Sequence, residues 1–375
     1  MVKASTTWLR GLLRAGKKQQ RSAVRVLGAL LAPAKPKPKA RTRPKLATVH
    51  TTIAPLKPKS ARPAPEMAAP ATGKWLASYL SGMSERGTLR RMSYWLYLPD
   101  RPAAATNGGA GLPLIVMLHG CDQTATLFAQ GTRMNQLAET AGYAVLYPQQ
   151  AVSTHPHRCW KWYDRATQQG GGDVPMIVGI INKVTANNPI DRSRIYICGI
   201  SAGAGMANIV ALNHPELFAG LGLHSGPSFG AGHSTIGALA VMQHGGGMRV
   251  DGAIAEVMGK RSGFPSLPTI LIQGEDDHVV RPINQIQLAR QAMLVNQMPA
   301  DSPEQVAVKV GTKRGHAYHL RDVYRGRKVM LRVARIAELK HAWSGGDERL
   351  SFNSARGPDA SKMMLDFFSR HRRAA

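Results

Sequence analysis

The chain has 375 residues, 43% of them hydrophobic, enough for one large globular domain with an appendage or for two modest domains. Its charge is lopsided, with 49 Lys and Arg against 22 Asp and Glu and a net charge of +27. Three cysteines exclude a disulfide framework as the basis of the fold, and no apolar run is long enough to span a bilayer.

Much of the excess charge lies at the start, where residues 1–73 hold 16 Lys or Arg and one acid, Glu66. Trp8, Leu9, Leu12 and Leu13, then Val24, Leu27 and Leu31, recur at helical spacing among Arg10, Arg14, Lys17, Lys18, Arg21 and Arg25. That pattern predicts basic amphipathic helices suited to an apolar or anionic surface. Residues 33–70 turn to Pro, Lys, Ala and Arg, the composition of an extended linker. Residues 1–72 are therefore expected to be a largely disordered extension, and 73–375 the folded domain. The best apolar segment of the head, residues 26–32, is short and follows a long basic stretch, which argues against a secretory signal.

In the body, 91–99 reads as an early strand, 112–120 as a buried strand running into a loop, 128–140 as an amphipathic helix and 143–147 as a short strand. Asp173 reads as the cap of a helix to about residue 187. The apolar run before Gly199 is a strand and the stretch from Ala204 a helix. A strand at 221–223, another at 268–273, a helix at 284–295, strands at 305–310 and within 318–333, and a last helix at 359–370 complete the chain. Apolar strands alternating with helices predict an α/β fold with a mainly parallel, doubly wound sheet covered by helices on both faces. Residues 225–265, rich in Gly, His and Met, break the alternation and are expected to form an irregular cap or lid.

Gly199-Ile200-Ser201-Ala202-Gly203 stands between that strand and that helix. Glycines on both sides of Ser201 permit a sharp reversal that lifts its hydroxyl out of the backbone. The pentapeptide alone is a weak signal. Its setting and the partners downstream strengthen it, because a serine nucleophile needs a base and an acid that holds the base in the right tautomer. In a doubly wound sheet these must lie beyond the carboxyl ends of strands. Gly274-Glu275-Asp276-Asp277-His278-Val279-Val280 follows such a strand; Asp277 is the chosen acid, with Asp276 and Glu275 as rivals. His341, in a loop before a Gly-rich turn and the final helix, is the chosen base over His316 and His319. The order Ser201, Asp277, His341 agrees with that of α/β-hydrolases.

The oxyanion that forms on attack needs two backbone donors, assigned to the N–H groups of Ala202 and Cys121. His119 is expected to brace the loop that holds Cys121. Cys121 and Cys159 fall in two loops that should border the site and could form one bridge. Trp160, Trp162 and Trp343 are candidates for a substrate wall, with a core plug as the rival reading of the 158–163 cluster. No His-Glu-x-x-His pattern, cysteine cluster or phosphate loop is present, so neither a metal nor another cofactor is expected.

Taken together, Pro113-Leu114-Ile115-Val116-Met117-Leu118-His119-Gly120-Cys121, Gly131-Thr132-Arg133-Met134-Asn135, Arg158-Cys159-Trp160-Lys161-Trp162, the Gly199 pentapeptide and His341-Ala342-Trp343-Ser344-Gly345-Gly346 resemble the polyhydroxybutyrate depolymerase-type esterases of the α/β-hydrolase superfamily. The resemblance implies ester hydrolysis by Ser201, Asp277 and His341 with the Cys121 loop in the oxyanion hole, and poly(3-hydroxybutyrate) or its oligomers as substrate. Feruloyl and acetylxylan esterases share much of the pattern and supply the alternative substrate class. Lys340 stands before the base where the family often has Gly. The basic head and the chain's end soon after its last helix suggest action in the bacterial cytoplasm on a storage granule, with an extracellular location as alternative. The head could also bind nucleic acid or another anionic surface, and a non-enzymatic tether from granule to nucleic acid is the third reading.

Overall fold

The strand before the pentapeptide, β5 (Ile190–Ile200), is buried on both sides: Ile195 and Ile197 join one apolar cluster while Tyr196, Cys198 and Ile200 join another. The preceding strand in space, β3 (Leu112–Leu118), alternates in the same way, Leu114, Val116 and Leu118 against Ile115 and Met117. Side chains of a strand point alternately to opposite faces, so a strand apolar at every position needs cover on both. The computed structural model describes residues 71–83, 87–100, 111–310 and 315–374 and supplies that cover. The amphipathic head expected within residues 1–72 lies almost entirely outside them.

Ten strands form one sheet in the order β1-β2-β4-β3-β5-β6-β7-β10-β9-β8. The six central ones are parallel: β4 (Ala144–Gln149), β3, β5, β6 (Gly220–His224), β7 (Thr269–Gly274) and β10 (Lys328–Ile336). Antiparallel strands close each side, β1 (Lys74–Met83) and β2 (Leu89–Leu98) on one, β9 (Tyr318–Arg325) and β8 (Glu304–Lys309) on the other. Helices α1 (Ala125–Thr132), α2 (Met134–Ala141) and the last helix, Ala360–Phe368, pack Phe128, Met134, Met364, Phe367 and Phe368 into one cluster. On the other face lie, after the short α3 (Arg165–Gln168), α4 (Val174–Asn187), α5 (Ala202–Asn213), α6 (Thr235–His244), α7 (Arg249–Gly259) and α8 (Ile283–Val295). The last helix is α9.

From β3 the chain first steps outward to β4 and then returns to β5 on the other flank of β3, so the strand order reverses between β3 and β5. Ligand sites of open α/β sheets lie beyond the carboxyl ends of strands at such a point. The loop of Cys121 follows β3 and Ser201 follows β5.

Two expectations are corrected. Residues 225–265 are not an irregular cap: they hold α6, capped by Ser234 whose side chain accepts from Gly237 N, and α7, which buries Val250, Ile254 and Val257. Of the glycines there, Gly237 and Gly252 lie within the helices and the others at helix ends or in the loops, so glycine does not abolish helix. Asp173 stands at the N-terminus of α4 but makes no capping bond. Its carboxylate instead pairs with Arg90 of β2 and accepts from Gln150 Nε2 at 2.6 Å, tying the helix to the sheet.

Candidate active site

Ser201 occupies the turn between β5 and α5 with φ +56° and ψ −124°, a region an L-residue rarely adopts. The flanking glycines are required by crowding. A Cβ on Gly203 would lie 2.1 Å from the Leu118 carbonyl oxygen, and one on Gly199 would lie 2.6 Å from both the Gly203 and Leu118 carbonyl oxygens. Helix α5 thus starts hard against the end of β3. Ser201 makes no side-chain cap bond with the helix, which leaves its hydroxyl for chemistry, while its backbone N–H donates to His224 O at 3.0 Å.

Asp277 follows β7 and is buried, whereas its rivals Glu275 and Asp276 are exposed. Its Oδ1 accepts from Val279 N and Val280 N, both at 2.9 Å, and its Oδ2 from Gln273 Nε2 at 3.0 Å and His341 Nδ1 at 2.8 Å. Burial works to raise the pKa of this carboxyl, but the His341 charge and the hydrogen bonds from His341, Val280 and Ser225 outweigh it and hold it below the ordinary carboxylate value. The acid is therefore ionised and fixed, and the His341 ring presents Nε2 as its free nitrogen. His316 instead faces Glu338 at 3.7 Å, and His319 is exposed on β9. Asp277 and His341 are in contact; among the described residues no hydrogen bond joins the Ser201 hydroxyl to His341. Such bonds are often long in an unliganded site and tighten with substrate.

Ala202 N–H opens α5, where unpaired N–H groups and the helix dipole favour negative charge. The opposing loop is braced from several sides. Gly120 N donates to Gln123 Oε1 at 2.8 Å, and Cys121 is bridged to Cys159. His119 is fully buried, with Nδ1 on Gly120 O at 2.7 Å and Nε2 accepting from Gln150 N at 3.1 Å. By the chain-entropy model a loop of this size gains about 4 kcal/mol from its bridge.

The three tryptophans do not form an open substrate wall. Trp160 is fully buried with Nε1 on His119 O at 2.9 Å, Trp162 is buried against Gly205 of α5, and Trp343 is buried with Nε1 on Ser361 Oγ at 3.1 Å. They plug the floor beneath the loops, because each ring is enclosed by the elements that carry the site. Sequence reasoning also missed Arg133. At the junction of α1 and α2 its guanidinium reaches the Gly345 carbonyl and, at 3.3 Å, Asp359, holding the loop that follows His341. Its place in the Gly131–Asn135 motif was the available signal.

Burial pushes His119 down to about 4, His224 down to about 3 and His371 down to about 4. Each is neutral when folded, so below about pH 6.5 the unfolded chain binds protons that the folded chain refuses, and stability falls with pH. Asp277 acts in the same direction at lower pH: its contribution is present above about pH 3.9 and is lost as pH falls below that. The expected result is a lower Tm at pH 5 than at pH 7.5, with His119 and His224 each taking up to about 2 kcal/mol from stability by pH 5. Equal Tm values would contradict it.

The family model described as "Esterase PHB depolymerase" matches residues 92–312. That match covers more than half of the chain and contains Ser201 and Asp277. The chain belongs to this esterase family. Poly(3-hydroxyalkanoate) depolymerase C of Paucimonas lemoignei is 32% identical over 189 residues, 48% of this chain and 44% of that protein. Acetylxylan esterase A of Talaromyces purpureogenus is 33% identical over 156 residues, 41% of this chain and 37% of that protein. The chain thus spans less than half the length of these relatives. The structure of the acetyl xylan esterase from Aspergillus awamori superposes with a TM-score of 0.61 at 19% identity, covering 78% of this chain and 99% of that one. The α/β-hydrolase fold is thereby established.

Proposed function

We propose that the chain is a serine carboxylic-ester hydrolase using Ser201, Asp277 and His341. The observation that carries this reading is the buried Asp277–His341 bond of 2.8 Å, which turns Nε2 of the ring toward the reaction as base. Ser201 Oγ attacks the ester carbonyl as His341 Nε2 takes its proton, and Ala202 N–H and Cys121 N–H receive the oxyanion. The C–O bond to the leaving alcohol then breaks as His341 returns the proton to that oxygen, leaving an acyl-serine. Water, deprotonated by His341, attacks the acyl carbon; the bond to Ser201 Oγ then breaks as His341 returns the proton to that oxygen, releasing the acid and restoring the serine. Each oxyanion donor is worth about 10²–10³ in rate.

The preferred substrate is poly(3-hydroxybutyrate) or its oligomers, supported by the family and by the depolymerase relative. An acetylxylan or feruloyl ester is the second reading, supported by the relatives named for those activities. The Cys121–Cys159 bridge favours an oxidising compartment, and so the extracellular alternative over the cytoplasmic one. The granule- and nucleic-acid-binding roles proposed for residues 1–72 rest on their sequence.

Polyester film, hydroxybutyrate oligomers, acetylated xylan and a feruloyl ester offered in parallel test the reading, with a short p-nitrophenyl ester as reference. Release of 3-hydroxybutyrate is expected. Turnover confined to the carbohydrate esters would select the second substrate class, and no turnover of any ester would refute the hydrolase.

A further inference from the structure

The hairpin β1–β2 outruns the sheet it joins. β2 pairs with β4 no further than Ser93 with Gln149, where β4 reaches the carboxyl edge of the sheet. The pairs Leu80–Met92, Ser81–Arg91, Gly82–Arg90 and Met83–Leu89 continue past that edge as an arm of about 13 Å. The arm stands at the rim that carries Ser201 and the Cys121 loop, three strand spacings or about 14 Å to the side of β5. One of its faces is held down. A Cβ on Gly179 of α4 would lie 2.7 Å from Leu80, so strand and helix are in close contact. Arg90 pairs with Asp173 and donates to Gly172 O at 2.9 Å, and Lys183 Nζ donates to Tyr79 O at 2.8 Å.

The opposite face is open. Met83 and Leu89, directly opposed across the hairpin, are 67% and 75% exposed, and Tyr79 is 45% exposed. The Arg91 guanidinium lies over the Tyr79 ring at 3.5 Å, a stacked arrangement that leaves its N–H edge for a further partner. Trp75, edge-on to Tyr147 at 5.5 Å, continues the apolar stripe toward the base of the hairpin. Single exposed apolar residues need no explanation, but a stripe of them on a supported ribbon marks a binding surface. Its chemistry selects the occupant. With Arg91 as its one cation the stripe does not suit nucleic acid, and it carries no carboxylate or amide for the hydroxyl donors of a sugar chain. An aliphatic polyester offers alkyl segments to the stripe and ester carbonyls, which only accept, to the guanidinium. We propose that the open face of this arm, formed by Tyr79, Met83, Leu89 and Arg91, is a remote subsite that holds the unreacted length of an aliphatic polyester while one of its esters lies at Ser201. The inference rests on the hydrolase reading and on its polyester substrate.

The full chain carrying Tyr79→Ser, Met83→Ser and Leu89→Ser together is altered only at exposed side chains. A short p-nitrophenyl ester is too small to reach the arm, so its turnover should stay within about twofold of wild type and report an intact fold. For long water-soluble 3-hydroxybutyrate oligomers kcat/KM should fall about 10-fold, with KM raised and kcat held, because the lost contacts are equal in ground and transition states. Wild type should prefer the long oligomers to the dimer, and the variant should not. If the triple variant fails to fold, Met83→Ser and Arg91→Gln singly carry the same comparison with smaller losses. Long oligomers hydrolysed equally well by folded variant and wild type, or a wild type without length preference, would overturn the inference. An equal loss on acetylated xylan would overturn it too, as would a wild-type dimer that the substitutions separate, since the stripe would then serve a sugar chain or a second copy. Two controls mark failure of the underlying reading instead. Turnover by Ser201→Ala sinks the hydrolase, and a wild-type chain that cleaves the short ester but no 3-hydroxybutyrate ester sinks the polyester substrate and the subsite with it.

Discussion

Ser201→Ala is expected to lower kcat/KM for a short ester by about 10⁶-fold, the loss seen when a nucleophile that acts as part of a unit is removed. The fold should not suffer. Alanine keeps the Cβ, and the hydroxyl that is removed makes no capping bond in α5, so Tm should move by less than a core substitution would cause. Ser201→Gly provides the complementary control. Glycine accepts φ +56° without strain, so this variant should be equally inactive yet melt higher than Ser201→Ala. Near-wild-type hydrolysis by either variant would remove Ser201 from the reaction. Activity loss accompanied by unfolding would show that the hydroxyl, not the strain, holds the turn.

Asp277→Asn should lower kcat about 10⁴-fold, for a reason that lies in donor and acceptor counting. On one side the carboxylate receives two backbone N–H groups, Val279 and Val280, so an asparagine must place its oxygen there. Its NH2 then faces Gln273 Nε2 and His341 Nδ1, both donors toward the native acid. The ring escapes this clash by moving its proton to Nε2, the nitrogen needed as base. Substrate binding is untouched, so KM should hold while kcat collapses. Glu275→Gln and Asp276→Asn, on exposed side chains of the same turn, should change the rate by less than about threefold. A comparable loss in either of those variants would place the acid wrongly.

The parts of this site written in consecutive residues could be read without coordinates. The glycines around Ser201, the turn Gly274–Val280 and the loop of His341 each carry their own local signal, and chain order links them. Roles set by neighbours across the sheet could not be read that way. Nothing in Leu223-His224-Ser225 announces a buried polar pair; it becomes one because β6 is inserted between β5 and β7. Arg133 likewise acts on a carbonyl 212 positions away. The tryptophans misled for the converse reason, since an aromatic cluster reads alike whether it lines a cleft or fills a floor. Helices α6 and α7 were hidden by glycine content, although Val250, Ile254 and Val257 hold helical spacing. Strand β1 escaped because its residues are mostly exposed and show no clean alternation.

A fluorophosphonate, which phosphonylates only an activated serine, offers the most direct measurement of the whole arrangement. Mass spectrometry of the treated full chain should find one adduct, on the peptide that contains Ser201, with labelling strongly slowed in His341→Ala. An unlabelled wild-type chain, an adduct on another serine, or undiminished labelling without the imidazole would contradict the account.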